Sequence, residues 1–150
     1  MMNRGTLALL LAQFLSAFGD NAILFAAIGM VLAAPQTVEW YIPALQAVFL
    51  VAYVVAAPWV GPVADRFSKP RILLLGNLVK AAGVSLILAG VEPLAAYALV
   101  GLGAAIYSPA KYGILPEMMD ERKLVKANAW IEATSIAAIS LGTVAGGQLA

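Results

Sequence analysis

Apolar residues run through this chain in long blocks, and polar residues gather in short clusters between them. Five blocks stand out, at about 6–32, 42–63, 72–90, 94–115 and 124–150. An α-helix rises 1.5 Å per residue, so about 20 apolar residues cross the hydrocarbon of a bilayer. Each block meets or approaches that length. The first is interrupted by Gly19-Asp20-Asn21, a sequence that weakens a helix at its middle. The joints carry breakers or charges: Pro35-Gln36-Thr37, Ala64 to Arg71, Val91-Glu92-Pro93 and Pro116 to Lys123. The alternation expected of barrel strands is absent, and the apolar runs are too long for them. The pattern predicts an all-α polytopic membrane protein with about five transmembrane helices.

Composition strengthens this reading. Hydrophobic residues make up 63% of the chain and charged residues 11%, where a soluble domain carries about a quarter charged residues. Met1 to Arg4 followed by the apolar run Thr6 to Phe18 also fits a secretory leader. The run resumes at Ala22 and continues to Ala34, which a cleaved leader does not need. A net charge of +1 gives no reason to expect a nucleic-acid partner. With no Cys and no His, disulfides, thiol chemistry and the commonest zinc ligands are out of reach, and we expect neither metal nor cofactor. No nucleophile–base pair or phosphate loop is present, so the sequence does not read as an enzyme.

Charge in the joints sets an orientation. Basic residues precede the first block (Arg4), separate the second from the third (Arg66, Lys69, Arg71) and separate the fourth from the fifth (Arg122, Lys123, Lys126). The other two joints hold only Glu39 and Glu92. By the positive-inside rule the N-terminus is cytoplasmic. So strict an alternation argues against a small dual-topology transporter. An odd number of helices and an end at Gly146-Gly147-Gln148-Leu149-Ala150 lead us to expect an N-terminal transmembrane bundle, 1–150, cut before a second half. Carriers of this kind pair two repeats around a site near the bilayer midplane.

Apart from Lys126 at the start of the fifth block, four charges fall inside the blocks: Asp20, Lys80, Lys111 and Glu132. Each costs about 2.5 to 3.5 kcal/mol at the bilayer centre on insertion scales, so together they require a protein interior or a wet cavity. Asp20 lies roughly 20 Å from the start of its block and cannot reach the interface. Lys80 and Glu132 lie roughly 10 to 12 Å deep, and their opposite charges suit either a structural ion pair or a ligand site. Lys111, about 6 Å from its block's end, either snorkels or binds. Helical spacing puts Gln13, Ser16 and Asp20 on one stripe, with Asn21 about 100° around from Asp20. Gln46, Phe49 and Tyr53 share a face, as do Ala104, Tyr107 and Lys111. Gly76, Gly83 and Gly90 recur beside Lys80, which reads first as close helix packing. Asn128, Glu132, Ser135, Gly142 and Gly146 make a polar and small face on the fifth block.

The joint Gly61-Pro62-Val63-Ala64-Asp65-Arg66-Phe67-Ser68-Lys69-Pro70-Arg71 resembles the cytoplasmic signature of the major facilitator superfamily. Gly61, Asp65, Arg66, Lys69 and Arg71 match it as a gating loop, and Ser68 stands where the pattern has a second glycine. Three further segments are more specific. Ala12-Gln13-Phe14-Leu15-Ser16-Ala17-Phe18-Gly19-Asp20-Asn21 is similar to the first helix of bacterial lysophospholipid transporters. Tyr107-Ser108-Pro109-Ala110-Lys111-Tyr112-Gly113-Ile114-Leu115-Pro116-Glu117 is similar to their fourth. Lys123-Leu124-Val125-Lys126-Ala127-Asn128, leading to Glu132-Ala133, is similar to their fifth.

This resemblance implies movement of lysophospholipid, chiefly lysophosphatidylethanolamine, to the cytoplasmic leaflet of a Gram-negative inner membrane. It also implies a partner acyltransferase that restores the second acyl chain, and a second half of the transporter beyond this stretch. Such a substrate presents an ammonium and a phosphate. Asp20 and Asn21 suit the ammonium, Lys111 or Lys80 the phosphate, and Phe49 and Tyr53 an acyl chain. Two other readings stay open. One is a proton-coupled facilitator of a drug or sugar, with Asp20 or Glu132 carrying the proton. The other is a membrane fragment that transports nothing.

Overall fold

The computed structural model describes residues 3–36 and 38–149. Met1, Met2, Thr37 of the first joint and Ala150 at the end of the fifth block lie outside them. The described residues form five α-helices and no strand: α1 Arg4–Leu32, α2 Tyr41–Arg66, α3 Lys69–Leu88, α4 Pro93–Met118 and α5 Glu121–Leu149. All five are long and apolar enough to cross a membrane. The fold is all-α, as the block pattern predicts.

Several helices outrun their apolar blocks. α2 continues to Arg66, α3 begins at Lys69, α4 reaches Met118 and α5 begins at Glu121. Arg, Lys, Glu and Met are good helix formers, and the headgroup layer solvates their charges without ending the helix. The joints shrink accordingly. Only Phe67 and Ser68 separate α2 from α3, so Gly61, Asp65 and Arg66 lie in a helix and not in a loop.

The expected interruption at Gly19-Asp20-Asn21 does not occur, since α1 is helical throughout. A glycine inside a helix costs about 1 kcal/mol. Opening the helix in hydrocarbon leaves backbone groups unsatisfied at several kcal/mol each, so continuity wins. Asn21 fits without a break because its amide nitrogen donates to the Ala17 carbonyl, 2.9 Å away. α2 likewise carries Pro58 and Pro62 in its interior.

α3 stops at Leu88, and Gly90 takes φ +83°, the left-handed conformation of a helix stop. The Val91 amide then reaches back to the Leu86 carbonyl at 3.0 Å. Gly90 is therefore a terminator and does not belong with Gly76 and Gly83 as a packing glycine.

The chain divides into two compact units, Met1–Gly29 with Tyr112–Ala150, and Met30–Lys111. In the first, α5 lies against α1 through Gly142 and Gly146. A Cβ on either would fall 2.5 Å from the carbonyl oxygen of Phe18 or of Ala22. In the second, Gly76 and Gly83 of α3 meet Gly103, Val100 and Ala96 of α4, and Gly101 meets the Phe49 backbone of α2. Small residues allow this approach where lipid supplies no hydrophobic drive between helices. Leu50, Val51, Val54, Val55 and Trp59 of α2 are 57–67% exposed, a face that requires an apolar surrounding.

Candidate functional site

In the unit of Met1–Gly29 and Tyr112–Ala150, Gln13 is buried at 4% exposure. Its amide nitrogen donates to Ser135 Oγ at 2.7 Å, and Ser135 Oγ donates to the Ile131 carbonyl at 2.8 Å. The hydroxyl has one proton and uses it on Ile131, so towards Gln13 it can only accept. That fixes the amide orientation and leaves Gln13 Oε1 buried without a hydrogen-bond partner. A buried acceptor left unmet costs about 1–3 kcal/mol. The spacing flagged Gln13 only as part of a stripe; its pairing with Ser135, 122 residues away in sequence, was not legible there.

Ser16 and Asp20 continue the Gln13 stripe, and both are half-buried. Asp20 lies about 24 Å along the helix from Arg4, deeper than the apolar block suggested. Asn21, also half-buried, uses one amide hydrogen on its own helix, leaving its other hydrogen and its oxygen. On α5 the buried stripe is Ala127, Ile131, Ser135, Ala138, Gly142 and Gly146. The expected polar face is thus split. Ser135 and the two glycines are buried, whereas Asn128 and Glu132 are exposed. Glu132 accepts a hydrogen bond from the Tyr112 hydroxyl at 2.6 Å. Tyr112 lies in the motif 107–117, and its tie to Glu132 on another helix has no signal in the sequence.

In the unit of Met30–Lys111, Lys80 is buried at 5% exposure. Its ammonium sits 4.9 Å from the centroid of the Tyr107 ring, a cation–π arrangement. Its stem runs along Gly103, where an added Cβ would fall 2.6 Å from Lys80 Cγ. Because α3 begins at Lys69, Lys80 is about 16 Å from the helix start, beyond the reach of snorkelling. Lys111 is half-buried and about 10 Å from the Met118 end of α4, deeper than its block implied. Phe49 and Tyr53 are partly committed to packing. The Phe49 ring lies 5.4 Å from that of Tyr97, and Tyr53 packs on Ala56, Val60 and Ala105.

At the α2–α3 joint, Lys69 Nζ donates to the Ala64 carbonyl at 3.0 Å and to Asp65 Oδ1 at 3.3 Å. One ammonium thus covers a last-turn carbonyl of α2 and ties the carboxylate to the start of α3. Arg66 and Arg71 are exposed, and Gly61 has open space where a Cβ would stand. Ser68 has φ −63° and ψ 136°, ordinary for any L-residue, so replacing the pattern's glycine strains nothing. At the opposite ends of these helices, Glu92 accepts from the Tyr41 hydroxyl and from the Ala95 amide. Burial pushes the Glu92 carboxyl upwards, but these bonds, with one from the Leu94 amide, outweigh it and hold it below its usual value. Among the described residues no three carboxylates gather as a metal site requires.

The family model of the Major Facilitator Superfamily matches residues 9–150. The lysophospholipid transporter LplT of Salmonella arizonae is 54% identical over 148 residues, 99% of this chain and 37% of that protein. The proteins of the same name from Salmonella paratyphi B and Salmonella typhi are 53% and 54% identical over the same shares. The chain therefore spans 37% of the length of the curated relatives it matches. No solved structure matches it.

Proposed function

The chain belongs to the major facilitator superfamily, and from that premise we propose that it is the N-terminal bundle of a secondary transporter for lysophospholipid, chiefly lysophosphatidylethanolamine. It is a multi-pass membrane protein. In our reading the lipid moves to the cytoplasmic leaflet of the bacterial inner membrane, the bundle works with a second half, and an acyltransferase takes the product. It acts as a carrier and not as an enzyme. The observation that carries the reading is a half-buried carboxylate, Asp20, held deep in the unbroken span of α1. The ammonium of a lysophosphatidylethanolamine headgroup is the complement of that carboxylate. The relatives' shared name supports the substrate class.

The test is reconstitution of the full-length protein in liposomes, following lysophosphatidylethanolamine and internal pH together. We expect lipid movement without obligatory proton movement. Proton flux that tracks a sugar or drug, with no lipid movement, would instead favour the second reading. That reading has one observation behind it, the Tyr112–Glu132 hydrogen bond at 2.6 Å, which sets a hydroxyl donor against a titratable carboxylate.

Orientation is tested separately. With the N-terminus cytoplasmic, position 39 faces the periplasm and position 66 the cytoplasm. This stretch has no cysteine, so single cysteines report cleanly. An impermeant thiol reagent on intact cells should label Glu39→Cys and spare Arg66→Cys; the reverse pattern inverts the topology.

We assign a gating role to Gly61, Asp65, Arg66, Lys69 and Arg71. Because Asp65 holds Lys69 at the joint, Asp65→Asn should shift the inward–outward balance and leave substrate affinity within about fivefold, since an exposed pair contributes under about 1 kcal/mol. Spin-label distances across the transporter read the balance, and unchanged populations would remove the assignment.

A further inference from the structure

Within the unit of Met1–Gly29 and Tyr112–Ala150, the start of α1, the α4–α5 turn and the first turns of α5 surround a cavity of about 520 Å³. Its lining includes Asn3, Met118, Asp120, Lys123, Lys126 and Trp130. Asn3 Oδ1 is engaged, accepting from the Thr6 amide and the Thr6 hydroxyl at 2.8 Å each as it caps α1. The chemistry left to the cavity is two ammonium groups, one carboxylate, the indole of Trp130 and a methionine wall.

Lys123, Lys126 and Trp130 follow i, i+3, i+7 and share one face of α5. Both lysines are exposed, and among the described residues neither forms an ion pair. Trp130 is 49% exposed and lines the cavity, offering an apolar ring with one N–H donor. A free anion would gain from the lysines alone. A lipid gains from the lysines through its phosphate and from Trp130 and Met118 through its glycerol and chain. Two ammonium groups against one carboxylate give a net positive lining, which favours an anionic over a zwitterionic headgroup.

We propose that this cavity is a binding site for an anionic phospholipid such as phosphatidylglycerol, with Lys123 and Lys126 on the phosphate and Trp130 along the glycerol. It is separate from the stripe of Gln13 and Asp20 and does not depend on which substrate the transporter moves.

The experiment titrates phosphatidylglycerol into the full-length protein in neutral detergent and follows the thermal midpoint, with parallel titrations of phosphatidylethanolamine and inorganic phosphate. Phosphatidylglycerol should raise the midpoint saturably. The Lys123→Gln/Lys126→Gln double variant should weaken its apparent affinity about thirtyfold, the effect of two surface ammonium contacts. Quenching of tryptophan by chain-brominated phosphatidylglycerol should fall in Trp130→Phe, a readout that holds even if the double variant folds poorly. Equal affinity in wild type and double variant with unchanged quenching would overturn the site. Stabilisation by inorganic phosphate to the same extent would make it a free-anion site, and equal stabilisation by phosphatidylethanolamine would refute the anionic selectivity.

Discussion

Asp20→Asn in the full-length protein is expected to lower lysophosphatidylethanolamine transport by at least about thirtyfold while the protein still inserts. If Asp20 holds the substrate's ammonium as proposed, the magnitude follows from removing one member of that charge pair, which costs about 2 to 5 kcal/mol because the other charge is left unmatched. The fold sharpens the argument. Asp20 projects from an unbroken α1 about 24 Å from Arg4, so its carboxylate cannot retreat to water and its backbone cannot shift to compensate. Asp20→Glu keeps the charge but lengthens the arm by a methylene, and should fall between wild type and Asn. Lys111→Ala should also weaken transport, since at about 10 Å from the end of α4 snorkelling no longer accounts for it easily. The rival is that Asp20 only pairs with a basic residue elsewhere in the transporter. Full recovery in a charge-swapped double variant would support that rival. Normal lipid flux in well-folded Asp20→Asn would remove Asp20 from the mechanism.

The spans were legible because lipid imposes a length and an apolar composition that composition alone reveals. The helix ends were less so. The apolar blocks stop where charge begins, but Lys69, Arg66 and Glu121 continue helices into the headgroup layer. The break at Gly19-Asp20-Asn21 was misjudged because local propensity is worth about 1 kcal/mol, against several for an exposed backbone group in hydrocarbon. Faces were legible where one helix packs on one partner, as Gly76 and Gly83 show. They failed on α5, where the buried stripe runs through Ile131 and Ser135 and leaves Glu132 outside it. A periodicity of 3.6 fixes which residues share a face but not which face is turned inwards. The Gln13–Ser135 and Lys80–Tyr107 contacts needed three dimensions, since nothing local joins residues on different helices.

The glycines of α3 and α4 carry the other large expected effect. A Cβ on Gly76 would fall 2.9 Å from the Gly103 carbonyl oxygen and from the Tyr107 backbone nitrogen. A Cβ on Gly103 would fall 2.7 Å from the Gly76 carbonyl oxygen and 2.8 Å from the Lys80 backbone nitrogen. These obstacles are backbone atoms, which cannot rotate aside as a side-chain end can. Each substitution must therefore part the helices, and parting them removes packing along the whole seam, including the bed of Lys80 against Tyr107. Gly76→Val or Gly103→Val should destabilise the full-length protein by about 2 to 4 kcal/mol, the scale of overpacking with loss of neighbouring contacts. Gly61 supplies the internal control, since nothing lies within 4 Å of its would-be Cβ. Gly61→Ala should cost no stability and gain up to about 1 kcal/mol from helix propensity, whatever it does to gating. Unfolding in detergent by a graded denaturant, read by tryptophan fluorescence, measures all three. Wild-type stability in Gly103→Val would mean that α3 and α4 do not meet at these carbonyls. A loss in Gly61→Ala as large as that in Gly103→Val would mean that glycine is needed in these helices for a reason other than close approach.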